Sequence, residues 1–250
     1  MSGCVHIGTS GWHYKHWLGP FYPAAERPER MLSYYFQQFD TVEINNSFYR
    51  LPTPAALGSW REQTPADFRF AVKGSRFITH MKKLKDPAAA LANFLPRVEI
   101  LGEKLGPIVF QLPPRWQSNP GRLEAFLHEL PQKHDYAFEL RNATWHNDTV
   151  YELLRRHNAA FCIYELAGFH SPFEVTADFT YVRLHGPDGP YQGSYSTERL
   201  TAWARQIWRW QRALTAIYVY FDNDQSGYAA HNALELKRLV EARERKTRSR

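Results

Sequence analysis

The sequence predicts a (β/α)8 barrel of the TIM type, a parallel eight-stranded α/β fold. Three observations predict it. Eight short runs rich in β-branched and aromatic residues punctuate the chain. Helical patterns fill nearly every gap between them, and such alternation implies parallel strands joined by crossover helices. Eight strands within 250 residues favour a closed barrel over an open doubly wound sheet.

The expected strands cover residues 5–8, 41–45, 68–73, 108–112, 136–141, 160–164, 181–185 and 217–222. The first helix is expected over 29–39, with Leu32, Tyr35, Phe36 and Phe39 on one face. A short one follows over 54–63. Residues 87–101 carry Leu91, Phe94, Leu95 and Val98 at helical spacing, with a break or kink expected at Pro96. Further helices are expected over 122–130 and 148–156. The clearest runs over 197–214, where Leu200, Trp203, Ala204, Ile207, Trp210 and Leu214 form one apolar stripe, so its tryptophans read as core. A last helix covers 228–243. One unit departs from the pattern: residues 165–178, with Gly168 and Pro172, have no helical period, so the crossover between the sixth and seventh strands is expected to be irregular. No repeat of solenoid spacing is present.

The chain reads as one barrel domain over 1–236 with a basic helix end over 237–250. Its net charge is +6, and its isoelectric point near 9.3 invites a nucleic-acid reading. Residues 237–250 hold seven basic and two acidic residues, a net +5, which leaves +1 for residues 1–236. A solvated helix end explains such a tail more simply than a nucleic-acid arm. No apolar run approaches the roughly 20 residues that span a bilayer, and no leader-like start is visible, so a cytoplasmic protein with no membrane partner is expected. Cys4 and Cys162 form no disulfide framework or Cys-x-x-Cys motif and read as core thiols.

Several stretches resemble the YecE-like family, a domain of unknown function with a barrel fold. They are Ile7-Gly-Thr-Ser-Gly-Trp12, Val42-Glu-Ile-Asn45 with Phe48-Tyr49, Ala71-Val-Lys73 with Ile78-Thr-His80, and Phe110-Gln-Leu-Pro-Pro114. Glu139-Leu-Arg141 with Trp145, Tyr181-Val-Arg-Leu-His-Gly186, Phe221-Asp-Asn223 and Asn232-Ala233 complete the series. They run in order across nearly the whole chain. Two positions depart from the pattern: Glu165, where an aspartate is expected nearby, and Asp222, where asparagine is common. The resemblance implies the barrel and brings no established reaction.

Candidate functional residues come from strand parity. Residues two apart on a strand share a face. Glu43 and Asn45 share one, as do Glu139 and Arg141, and Arg183 and His185; Lys73, Gln111 and Asp222 each end a strand. If these parities point inward, eight polar side chains besides Asn45 meet at the C-terminal mouth, where barrel enzymes keep their active sites. Unpaired burial costs several kcal/mol per ion by order of magnitude. Such a ring therefore either pairs with itself or waits for a ligand. Its charges balance, with Glu43, Glu139 and Asp222 against Lys73, Arg141 and Arg183.

The loop 185–193 after the seventh strand has three glycines, which suit either close ligand approach or ordinary turns. After the eighth strand, Ser226 is a candidate N-cap of a helix whose free N–H groups suit an anion. Trp12, Tyr49 and Trp145 are candidates to wall a pocket or to lid the core. His80 is a candidate to reach the mouth, and an exposed loop histidine is the alternative.

The preferred reading is a metal-independent enzyme acting on a small phosphorylated or carboxylated substrate. Glu43 or Glu139 is the general base and His185 the acid or electrophile. Lys73, Arg141 and Arg183 hold the anion, with Gln111, Asp222, Asn45, Tyr49 and Trp12 as further binding residues. A glycoside hydrolase with acids after strands four and seven is excluded, since those positions carry Gln111 and Arg183/His185; a Glu43/Glu139 pair stays open. No cofactor is expected. A single Mg2+ or Mn2+ on Glu43, Glu139, His185 and Asp222 stays open, against three neighbouring cations. The alternatives are a nucleic-acid-binding or metal-dependent phosphodiester-cleaving protein and a non-catalytic ligand-binding protein.

Overall fold

The computed structural model describes residues 3–248, with side chains to residue 243. All eight expected strands form. They are β1 (Cys4–Thr9), β2 (Thr41–Ile44), β3 (Arg69–Lys73), β4 (Leu105–Leu112), β5 (Tyr136–Leu140), β6 (Ala160–Leu166), β8 (Phe179–Leu184) and β9 (Ala216–Phe221). Between β6 and β8 lies a two-residue strand, β7 (Phe169–His170), antiparallel to the end of β6. The long strands follow chain order through the sheet, and β1 pairs in parallel with β9, so the first and last strands are neighbours. Together with the intervening helices, this is the (β/α)8 barrel class.

The chain divides into two compact units. One comprises residues 1–42, 164–171 and 182–250, the other residues 43–163 and 172–181. In the first, β1 lies in register with β9 from Cys4↔Ala216 to Thr9↔Phe221. Its helices are α1 (Met31–Tyr35), α6 (Thr197–Trp210) and α7 (Tyr228–Arg248). Trp203, Ile207 and Trp210 of α6 are buried, as the apolar stripe predicts. Trp17, Phe21, Tyr22, Tyr35 and Phe39 form a second aromatic core, with ring centroids 4.8–6.3 Å apart.

In the second unit, β3, β4, β5 and β6 pair in parallel series. Its helices are α2 (Pro54–Gln63), α3 (Ala88–Val98), α4 (Pro120–His128) and α5 (Asp148–Arg156). Phe110 is its hub, 5.0 Å from Phe126 and 5.6 Å from Phe138. Gly74 has no room for a side chain, because a Cβ there would lie 2.4 Å from the Phe110 ring.

The structure corrects several element boundaries. The expected helix over 29–39 is a 3-10 turn at Pro28–Arg30 followed by the five residues of α1. It closes early because Gln37 and Gln38 donate to the carbonyls of Tyr34 and Tyr35, three residues back. Helix α3 runs through Pro96 instead of breaking there; the proline sits near its C-terminal end. The irregular crossover after β6 is a hairpin. Ala167 and Gly168 both take positive φ, 51° and 80°, and turn β7 back on Glu165 and Leu166. Helix α7 continues the chain's basic end without interruption to Arg248; residues 249 and 250 of the expected tail lie outside the described residues.

Candidate functional site

In the first unit, strand parity places Arg183 and His185 on one face of β8 and its continuation, and Asp222 follows β9. The Asp222 N–H donates to the Leu184 carbonyl at 2.8 Å, which fixes the carboxylate beside both side chains. His185 Nδ1 is 3.0 Å from Asp222 Oδ2, and Arg183 Nη2 donates to the same oxygen at 3.3 Å. Arg183 also donates to Ser10 Oγ at 3.4 Å, and its Nη1 lies 3.5 Å from His185 Nε2. A guanidinium has no acceptor, so this geometry assigns the imidazole proton to Nδ1 and leaves Nε2 as the acceptor. Arg183 and His185 are fully buried.

The loop that follows uses its glycines for its own turn. Gly186 has φ 116°, and a Cβ there would lie 2.3 Å from the Gln192 carbonyl oxygen. The Gly186 N–H donates to Tyr195 OH at 3.0 Å, and the Tyr191 N–H donates to the His185 carbonyl at 2.6 Å. Burial drives the Tyr195 hydroxyl far above its ordinary pKa, and the nearby Glu165 carboxylate adds to this. Asn232 Oδ1 accepts from Asn223 Nδ2 at 2.8 Å and from the Tyr195 N–H at 3.0 Å, so the two motif asparagines clamp this loop onto α7.

Ser226 is not the expected N-cap. It lies inside the 3-10 turn Gln225–Gly227 at φ 56° and makes no capping bond. Asp224 in the same loop accepts from Trp17 Nε1 at 2.5 Å and pairs with His16 at 3.0 Å. Burial raises its pKa to about 6, against the lowering effects of Trp17 and His16.

In the second unit, Glu43 on β2 is fully buried and accepts from Tyr181 OH at 2.6 Å. Glu139 on β5 is fully buried and accepts from Arg141 Nε at 2.5 Å. Gln111 on β4 is the direct neighbour of Glu139 in register, and its Oε1 is buried with no hydrogen-bond donor among the described residues. Asn45 Oδ1 is in the same position. Lys73 is buried with its ammonium 4.5 Å from the centre of the Phe48 ring.

His80 lies edge-on to that same ring at 5.0 Å. Burial lowers its pKa to about 4, helped by Lys73, Arg76 and Arg141 and opposed by Glu139. His80 and the Lys73 ammonium thus pack against the same Phe48 ring. Tyr49 projects outward, 79% exposed. Trp12 is buried at 8% exposure, and Trp145 is wholly core, its indole donating to the Trp116 carbonyl at 2.7 Å.

Sequence reasoning missed three partners. Tyr181 sits in a strand run, where a tyrosine reads as core. Arg199 on α6 donates to the fully buried Glu165 at 2.5 Å, with His170 at 3.6 Å from the other oxygen. Cys4 is exposed rather than core, because it starts β1 at its open end. It lines a cavity of about 500 Å3 with His6, Asp40, Gln211 and Lys237. No group of three or more His, Cys, Asp or Glu residues positioned to hold a metal occurs among the described residues. No helix among them is long and apolar enough to cross a membrane.

Fold and site together define a (β/α)8 barrel with charged side chains buried and paired at the C-terminal ends of its strands. The chain belongs to the DUF72 family, a protein family of unknown function, whose model matches residues 6–250. It is 32% identical over 141 residues to the UPF0759 protein YecE of Escherichia coli, a match spanning 55% of this chain and about half, 48%, of that relative. It is 24% identical to the UPF0759 protein YunF of Bacillus subtilis over 95% of both chains. A DUF72 family structure from Thermotoga maritima superposes with a TM-score of 0.87 at 30% identity, covering 95% of this chain and 99% of that one. One from Enterococcus faecalis, at 18% identity, shares the fold with a TM-score of 0.81 over 95% of each chain.

Proposed function

We propose that this protein is an enzyme acting on a small phosphorylated or carboxylated substrate by acid–base chemistry at the C-terminal ends of its strands. The observation that carries the reading is the buried Arg183–His185–Asp222 cluster. A histidine with one ring nitrogen held by a carboxylate has a defined tautomer, and its other nitrogen is available to exchange a proton. Here an arginine guanidinium lies 3.5 Å from that nitrogen. An anionic substrate group entering the cluster takes up the guanidinium as its counter-ion and frees Nε2 for the reacting atom. In this reading His185 is the acid or electrophile and Arg183 the anion contact of this cluster; within the second unit, Glu43 or Glu139 is the candidate general base, and Lys73 and Arg141 are the candidate anion contacts. Each of these side chains ends or nearly ends a strand, where the barrel fold keeps its chemistry.

The test is a thermal-shift series with inorganic phosphate, citrate and a panel of phosphorylated and carboxylated metabolites, on the wild type and on His185→Gln. The reading predicts a saturable rise in Tm for at least one anion, since a ligand at 100 times its Kd adds about 2.7 kcal/mol. The rise shrinks in His185→Gln. No saturable shift for any anion, or the same shift in both proteins, overturns it.

A further inference from the structure

The geometry points to a second functional surface, a docking face for a single-stranded polynucleotide on the turn between β3 and α3. It shares no residue with the Arg183 cluster and stands independently of the proposal above.

Charge is the first observation. Residues 1–236 are nearly neutral as a whole, yet residues 76–85 hold Arg76, Lys82, Lys83 and Lys85 and no acidic residue. Arg76, Lys82, Lys83 and Lys85 are all exposed. Among the described residues they make one ion pair, a 4.0 Å contact from Lys85 to the exposed Asp86, too long and too wet to neutralise them.

Exposed rings are the second. Phe77 is 45% exposed and Met81 68%, on the single π-helical turn Phe77–Met81. Tyr49, 79% exposed, packs its ring 4.9 Å from Phe48, which also holds His80 of the same turn at 5.0 Å. Tyr49 and the exposed Arg50 therefore border the basic turn. Adjoining exposed apolar side chains rimmed by polar residues mark interaction sites.

Backbone strain is the third. Lys83, Leu84 and Asp86 all take positive φ, at 48°, 62° and 45°, although none is glycine. Leu84 is buried, its N–H donates to the Ile78 carbonyl at 2.9 Å, and Arg122 donates to the Lys83 carbonyl at 3.3 Å. The buried Leu84 and these backbone bonds thus anchor the turn that carries the exposed lysines, and backbone strain of this kind clusters at binding segments.

Cations beside exposed rings match a single strand, which offers phosphates and unstacked bases together. An acidic peptide uses the cations and leaves the rings idle. A lipid surface needs a longer apolar face than one turn carrying Phe77 and Met81.

The test is fluorescence anisotropy with labelled 20-nucleotide oligo(dT) and oligo(U) on the full-length protein. Four phosphate contacts give a log–log salt slope near −3, so affinity falls about fiftyfold from 50 to 200 mM salt. Lys82→Glu with Lys83→Glu weakens binding at least tenfold, as these exposed side chains lie outside the core. Phe77→Ala weakens it roughly tenfold without changing the salt slope. The matched reversal Lys237→Glu with Arg238→Glu on α7 has less than a threefold effect. Binding to neither strand overturns the inference, as does a loss that follows the α7 reversal instead. Capture by phosphatidylserine vesicles without oligonucleotide binding also overturns it.

Discussion

Tyr181→Phe removes one oxygen atom and with it the hydrogen bond to Glu43. Both residues are fully buried and the bond is 2.6 Å long. A hydrogen bond to a buried ionised carboxylate contributes about 1.5–3 kcal/mol, and one to a neutral acid about 1 kcal/mol. The substitution leaves the ring's packing intact, so the loss reads the bond itself. Urea unfolding followed by tryptophan fluorescence measures it. With an m-value of about 3 kcal/mol/M, the midpoint falls by about 0.5–1 M if Glu43 is ionised. A double-mutant cycle with Glu43→Gln isolates the charge-dependent part. The general-base role needs an ionised Glu43, so the cycle must show coupling above about 1 kcal/mol. A loss under about 0.5 kcal/mol, unchanged by Glu43→Gln, would refute the charge-assisted bond and with it the base assignment to Glu43.

Further outcomes follow from the same geometry. Asp224 has its pKa raised by burial to about 6, above the unfolded carboxylate value. The native state therefore binds this proton more tightly, and its contribution to stability is present below about pH 4 and lost as the pH rises through 6. Asp224→Asn flattens that slope in pH-dependent melting; an unchanged slope contradicts the burial argument. His80 has its pKa lowered to about 4, so its contribution is present above pH 6.5 and lost as the pH falls toward 4. Its ring-proton NMR titration midpoint is expected near 4, and a midpoint above 6 contradicts its burial against Phe48 beside Lys73. The buried Lys104 ammonium donates to the carbonyls of Arg61 and Thr64 at 2.5 and 2.6 Å. Lys104→Met strands both at the end of α2 and costs roughly 3 kcal/mol in urea unfolding; a cost under 1 kcal/mol speaks against that role. Gly186→Ala forces a side chain against the Gln192 carbonyl at φ 116°, so it lowers Tm and perturbs the adjacent His185 resonances.

The barrel was legible because parallel strands covered on both faces read as continuous apolar runs, and all eight such runs became strands. The β7 hairpin was not. Its turn is Ala167-Gly168, where a strong hairpin signal would be Asn-Gly. Parity correctly placed Arg183 with His185 and Glu139 with Arg141, since residues two apart on a strand must share a face. It said nothing about Tyr181 meeting Glu43, 138 positions away, or Arg199 meeting Glu165, because such pairs depend on tertiary packing and leave no local pattern. The loop glycines illustrate the opposite limit. Positive φ was predictable at Gly186, but only the structure shows the Gln192 backbone occupying the space beside it. Net charge misled in a similar way. The sum over residues 1–236 conceals the basic turn at 76–85, since acidic residues elsewhere cancel it.

The most direct test of the account follows His185 itself. With the side chain labelled with nitrogen-15, Nδ1 and Nε2 report tautomer and hydrogen bonding separately. The account predicts a protonated Nδ1 and an acceptor Nε2 in the free protein, and a saturable shift of Nε2 as the best-stabilising anion from the thermal-shift panel is added. An Nε2 that carries the proton, or one that does not respond while that anion binds elsewhere, would contradict the assignment of Arg183, His185 and Asp222 as the substrate's anion and proton site.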